Sequence, residues 1–306
     1  MRASSTTLTA LPPLERPWRQ GFLLLWRDKF ALVSALYLGV MVLCALFGPA
    51  LLEDAATKMN LRGRNAPPFT LDNGWLYVLG ADALGRSMLA RIIVAAQNTL
   101  AVAAAAVALA LAIGGTLGLI AGYRGGWAGE VIMRAADVIM SFPSLLLAVV
   151  VLYMFEPRVA NLVLVLAVTR IPVYLRTTRA EVLEIRERMF VAAARVMGAS
   201  PLRIVLRHVA PIVLPTLITV ATLDFAFVML AESALSFLGI GIQPPEITWG
   251  LMVAQGRNYL QIAWWLAFWP GLAIMLTTLA LNLLAGWLRI ATDPVQRWRL
   301  EVPGRP

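Results

Sequence analysis

Six long apolar runs dominate the sequence and leave it few ways to fold. They occupy about Phe30 to Leu52, Thr99 to Tyr123, Val131 to Phe155, Val159 to Leu175, Ile212 to Ala231 and Trp264 to Leu288. A helix rises about 1.5 Å per residue, so about 20 apolar residues match the hydrocarbon thickness of a bilayer. The runs therefore predict an all-α polytopic membrane protein with six transmembrane helices. Composition agrees, because 60% of the 306 residues are hydrophobic and 14% charged, whereas a soluble domain has roughly 45–50% and 25%. A soluble globule is excluded. Two runs carry interruptions: Ser141 and Pro143 are expected to break the third locally, near Asp137, and Arg170 with Pro172 interrupts the fourth.

Three regions follow from these boundaries. Residues 1–29 form an N-terminal segment with no signal-peptide cleavage site, and its short apolar stretch from Trp18 to Trp26, flanked by charges, suits a helix lying in the membrane interface. Residues 30–290 form the membrane domain, and 291–306 a tail. Six crossings place both termini on one side. That side holds eighteen of the 26 Lys and Arg residues against seven on the other, so the positive-inside rule places both termini in the cytoplasm. The outer loop then spans 53–98, a cytoplasmic loop spans 176–211, and an outer segment spans 232–263. This last segment is apolar at Leu235, Phe237, Leu238, Ile240 and Ile242, but Gly239, Gly241, Pro244 and Pro245 would interrupt a spanning helix. A re-entrant or outer-surface element is expected there, with Gln243 near the mouth of any pathway.

The chemistry of catalysis is missing. Lone Cys44 and lone His208 exclude a disulfide framework and a multi-cysteine or paired-histidine metal site, and the two lysines, Lys29 and Lys58, lie in no phosphate-cradling loop. No catalytic motif is present and no cofactor or metal is expected in this chain. The net charge of +9 records membrane orientation better than nucleic-acid binding. Three ionisable residues lie at membrane depth: Arg170, Asp224 and Glu232. Such groups are costly in lipid and face a bundle interior or a water-filled path. Arg170 and Glu232 are equally compatible with interface positions, Arg170 by snorkelling and Glu232 by opening the outer loop; Asp224 is deeper and points to the pathway or to an interhelical partner. Gly114, Gly118 and Gly122, four residues apart, share one helix face and are better suited to packing within the bundle than to a dimer motif.

The cytoplasmic loop has a pattern of its own. Phe190, Ala193, Ala194 and Met197 fall at helical spacing, with Val191 and Arg195 beside them, and Gly198 suits the left-handed stop after a helix. After Ala199, Ser200 can cap a second helix with Pro201 at its first position, and Leu202, Val205, Leu206 and Val209 form its stripe before Pro211. Two short helices meet at a bend, beside Arg195, Arg203 and Arg207. Such an apolar and basic knob suits docking to a soluble protein, although its charge also suits anionic lipid headgroups.

These residues resemble the EAA loop of ABC-importer permeases, with Ala192 in place of the leading glutamate. Leu79-Gly-Ala-Asp-Ala-Leu-Gly-Arg-Ser-Met-Leu-Ala-Arg, the segment from Glu232 to Gly250, and the C-terminal Asn282-Leu-Leu, Leu288-Arg and Asp293-Pro are similar to the peptide-transporter branch. Ser87 stands where that branch often has an acidic residue, and Ala285-Gly-Trp replaces a more polar pattern. The resemblance, from about Phe22 to Pro294, is to C-type permeases of dipeptide/oligopeptide importers. It implies the type I importer permease fold, a bacterial inner-membrane location, a B-type permease partner, two cytoplasmic ATPases and an extracytoplasmic solute-binding protein. It also implies that Phe190 to Arg203 couples to an ATPase that alone hydrolyses ATP. Nickel chelates or glycosides are alternative substrates within the family. An ion-coupled carrier or channel using Arg170, Asp224 and Glu232 is the alternative from another class.

Overall fold

The computed structural model describes residues 24–70, 74–155 and 158–292; the interfacial stretch expected over Trp18 to Trp26 lies outside them up to residue 23, as does the C-terminal tail from residue 293. Helix α1, Lys29–Thr57, starts where the Asp28 carboxylate accepts the N–H groups of Phe30 and Ala31, each at 3.1 Å. Its exposed side chains are those of a lipid-facing helix, among them Phe30, Leu36, Leu43, Phe47 and Leu51. Helix α2, Met88–Arg124, is capped by Ser87. Helices α3, Gly126–Met140, and α4, Ser144–Met154, are bent by 84° across Ser141 to Pro143, so the third apolar run is one broken element.

Helix α5, Val159–Ile185, continues through Pro172. Short helices α6, Met189–Val196, and α7, Pro201–Ile204, lead through a single wide turn, Val205–Val209, into α8, Ala210–Phe237. After α9, Trp249–Gly256, the last long helix is α10, Trp265–Thr292. Among the described residues five helices are long and apolar enough to cross a bilayer, counting α7, the wide turn and α8 as one, or six when the bent α3–α4 pair is taken as one broken span. Among the described residues no strand forms; the one bridge pairs Ala81 with Ser87.

Several ends differ from those read from hydropathy. Helix α1 runs past Leu52 to Thr57 and α2 begins at Met88, so the loop expected over 53–98 is confined to 58–87. Helix α5 runs ten residues beyond Leu175, so the loop expected over 176–211 starts at Arg186. Glu232, expected to open a segment over 232–263, lies inside α8. The physical reason is common to all: charged residues end an apolar run but not a hydrogen-bonded helix, which stops where the backbone finds a cap.

Helix α2 forms the centre of the bundle, and its small residues let α5 approach. A side chain at Gly114 would come within 2.6 Å of the Ile171 carbonyl oxygen, one at Gly118 within 2.5 Å of Thr178, and one at Gly122 within 2.7 Å of Val182. The three glycines thus pack inside this chain, with α5 as their partner.

Candidate functional site

At one end of the bundle, α5 and α8 are joined by the bent hairpin of α6 and α7. Gly198 adopts φ +82°. Its N–H donates to the Arg195 carbonyl at 3.1 Å, and the Ala199 N–H donates to that of Ala194 at 3.0 Å. This paired arrangement is the Schellman stop, which favours glycine because the left-handed backbone carries a steric penalty for other residues. Ser200 then accepts the Arg203 N–H and Pro201 opens α7. The wide turn before Pro211 lets the Ala210 N–H reach the Val205 carbonyl, five residues back. Pro211 explains it: a proline ring clashes with the carbonyl four residues earlier, and one extra residue in the turn relieves that clash.

The faces of the hairpin differ from the expected grouping of Phe190 with Ala194 and Met197. Val191, Ala194, Ile204 and Val209 point into the bundle, whereas Phe190, Ala193, Met197, Leu202 and Leu206 are exposed. Met189 and Val196 are each 89% exposed. The helix is only two turns long and its inner stripe is narrow, so a one-residue rotation decides which apolar side chains are left outside. Arg195, Ser200, Pro201 and Arg203 are also exposed and Ala199 is half-buried. Beside the hairpin a cavity of about 310 Å³ opens between Leu119, Ile120 and Tyr123 of α2 and Pro201, Leu202 and Val205.

In mid-bundle the structure brings Arg170 of α5 and Asp224 of α8 together in a direct ion pair. Asp224 is 3% exposed, and the Arg170 guanidinium also lies 4.3 Å from the centre of the Phe227 ring. Tyr174, fully buried one turn along α5, lies near the same pair, and its hydroxyl makes no hydrogen bond there. The open edge of Arg170 lines a cavity of about 220 Å³ with Phe142, Ser144 and Leu147 at the α3–α4 break. Asp137 pairs instead with Arg176 at 2.6 Å, tying α3 to α5.

Glu232 joins neither group. It is fully buried, with the Ser236 hydroxyl donating to it at 2.8 Å and the hydroxyls of Ser233 and Thr248 nearby. Ser236 in turn accepts the Ile242 N–H at 3.2 Å. Glycines let the following segment lie against α8: a side chain at Gly250 would meet Ser233 at 2.5 Å and one at Gly241 would meet Ser236 at 2.3 Å. Glu232 therefore fastens residues 241–251 to the helix end. Gln243 is half-exposed and donates to the Gly239 carbonyl at 3.0 Å within its own turn.

Sequence reasoning missed a network at this same end. Asp82 accepts N–H groups from Leu84 and Arg86 and pairs with both Arg86, at 2.7 Å, and Arg91, at 3.0 Å. Arg91, 3% exposed, also donates to Gln255 of α9 at 3.2 Å. Trp249 donates its indole N–H to Ile92, and Trp265 donates to Ala81. The loop over 58–87, the start of α2 and the segment around α9 form one cap. A usable signal was present in the two arginines and the aspartate of Leu79 to Arg91, too densely charged for a lipid-facing helix start.

A long central helix packed on its neighbours through glycine, a broken third span and a bent hairpin between two spans find their counterpart among transport proteins. Residues 114–297 match the family of binding-protein-dependent transport system inner membrane components. The chain belongs to this family. Residues 16–68 of this permease match the N-terminal transmembrane domain of oligopeptide transport permease C. The permease is 39% identical to the di/tripeptide transport system permease protein DppC of Pseudomonas aeruginosa over 293 residues, 95% of each chain. It is 36% identical to the dipeptide transport system permease protein DppC of Alkalihalophilus pseudofirmus, over 91% of this chain and 90% of that one. To the glutathione transport system permease protein GsiD of Pectobacterium atrosepticum it is 35% identical, over 91% of each chain. Its fold is similar to that of a chain of the MetNI methionine ABC transporter in an inward facing conformation, with a TM-score of 0.55 at 18% identity, covering 67% of this chain and 98% of that one. The permease is thus an all-α, multi-pass inner-membrane component with an ABC importer permease fold.

Proposed function

We propose that this permease forms half of the translocation pathway of an ATP-driven importer of di- and oligopeptides. Its hairpin, Phe190 to Arg203, docks on one of two cytoplasmic ATPases, a B-type permease completes the pathway, and an extracytoplasmic solute-binding protein delivers substrate. Both termini lie in the cytoplasm, lipid surrounds the exposed faces of the spans, and hydrolysis takes place on the ATPases. The peptide assignment draws on the relatives that carry peptide, dipeptide or glutathione transport in their names.

The observation that carries the coupling role is the hairpin itself. Met189, Phe190, Val196, Met197, Leu202 and Leu206 are exposed apolar side chains around a Gly198 stop, on the end of the bundle where basic residues concentrate. An apolar patch rimmed by polar groups marks a protein-binding surface. ATP-driven closure of the ATPases would displace it, and packed helices would pass the displacement on as rigid bodies. Arg170 and Asp224 neutralise each other, which speaks against an exposed ion-relay site. The deciding experiment is uptake of a dipeptide into vesicles with native or hydrolysis-dead ATPases. Uptake lost with the dead ATPases supports the importer; uptake driven equally by an ion gradient alone supports a secondary carrier.

A further inference from the structure

The Arg170–Asp224 pair lies on the two helices that carry the hairpin. Helix α5 runs from Arg170 to Ile185 and into α6, and α8 returns from Ala210 to Asp224. Along the helices the pair stands about 22 Å from the hairpin on one arm and about 21 Å on the other. Two antiparallel arms are therefore tied at matching height. Closer to the hairpin, the Glu181 carboxylate of α5 lies beside the Thr216 hydroxyl of α8.

The α8 arm has two soft places between hairpin and pair. One is the wide turn Val205–Val209, and the other is Pro215, which lacks an N–H for the helix ladder. Helix α5 is held against α2 at the three glycines, and Arg186 donates to the Gly122 carbonyl at 2.9 Å. A displacement applied to the hairpin could thus be absorbed by bending at the base of α8. A cross-tie above both soft places prevents this, and a charge-assisted hydrogen bond fixes register where apolar contacts would slide. Beyond Asp224 the same helix carries Glu232 and Ser236, which hold residues 241–251 at the opposite end.

We propose that Arg170 and Asp224 are positioning residues: their pair pins α5 to α8 so that movement of the hairpin reaches the far end of α8 instead of being lost at the wide turn and Pro215. This inference rests on the reading of the hairpin as the ATPase dock. The physical warrant is placement: the hairpin, the pair and Glu232 follow one another along the wide turn and α8, and the coupling experiment decides whether movement passes between them.

The test replaces both partners by apolar side chains, Arg170→Met with Asp224→Leu, which leaves no orphaned charge and keeps the helices buried. In the assembled complex with its ATPases, permease abundance and ATPase binding should stay at the native level, and ATP hydrolysis should persist. Dipeptide uptake per ATP hydrolysed should fall about tenfold. An unchanged ratio overturns the proposal. If the double replacement does not insert, Arg170→Cys with Asp224→Cys in a Cys44→Ser background gives a second reading within one sample. Bridging the two thiols with a short bifunctional reagent should raise uptake per ATP; a bridge without effect overturns the pin. Absence of ATP-dependent uptake by the native complex would instead remove the functional reading, and the pin with it.

Discussion

Substitution of Gly198 separates backbone conformation from contact. At φ +82° a side chain at this position has nothing within 4 Å, so no clash arises and only the left-handed backbone is penalised. That penalty is about 1–2 kcal/mol for an ordinary residue and greater for a β-branched one, whereas Asn tolerates the conformation best. The bent hairpin would lose population by up to about tenfold for each 1.4 kcal/mol, and an interaction that needs the bend weakens in proportion. Gly198→Asn should therefore retain most ATPase binding, Gly198→Ala less, and Gly198→Val least, with insertion unchanged because the turn is exposed. Gly39→Ala, in the interior of α1 with equally open space, is the control and should be neutral. The assay is titration of ATPase onto the solubilised permease pair, alongside ATP-dependent uptake. Equal binding by the Val, Ala and Asn variants would refute the claim that the Schellman stop presents the docking surface.

Other consequences follow from the packing. Arg91→Ala removes a buried partner of Asp82 and Gln255 while Arg86 still neutralises Asp82, and should cost about 1–3 kcal/mol, read as a lowered midpoint of thermal unfolding in detergent; Arg86→Ala, at a more exposed position, should cost less. Gly118→Leu must displace α5 and should reduce folded permease by about 1–3 kcal/mol or more, whereas Gly115→Ala, with its nearest neighbour at 3.6 Å, should be tolerated. A cysteine at half-exposed Gln243 should react with an impermeant thiol reagent added from outside, and one at buried Ile242 should not.

Much of the fold was legible because lipid imposes a simple rule: a long apolar run must be a helix. The break at Ser141 to Pro143 and the Gly198-Ser200-Pro201 bend were legible for local reasons, a missing donor, a left-handed stop and a cap. Helix ends were not, since the charged residues from Arg176 to Glu184 end the apolar run but leave the α5 ladder intact. Nor were pairings between distant positions. Arg170 and Asp224 each stood out as costly in lipid, yet nothing local says that 54 residues of chain return one to the other. By sequence Glu232 is equally compatible with a pathway position and with the start of the outer loop, and the hydroxyl partners from α8 and Thr248 that give it a buried seat are not visible in the local sequence. The faces of α6 turned on a single residue of rotation, beyond the reach of a two-turn periodicity.

The most direct test of the central claim is crosslinking from the hairpin in a working complex. Cysteines placed at Ala193 and Val196, both exposed, in a Cys44→Ser background avoid the buried Ala194 and leave no competing thiol in the chain. In complexes that still import substrate, both positions should form adducts with an ATPase subunit, and the yield should change when ATP is added. If neither position reaches an ATPase in an active complex, while both react with lipid-borne reagents, the hairpin is a membrane-surface element and the coupling account is wrong.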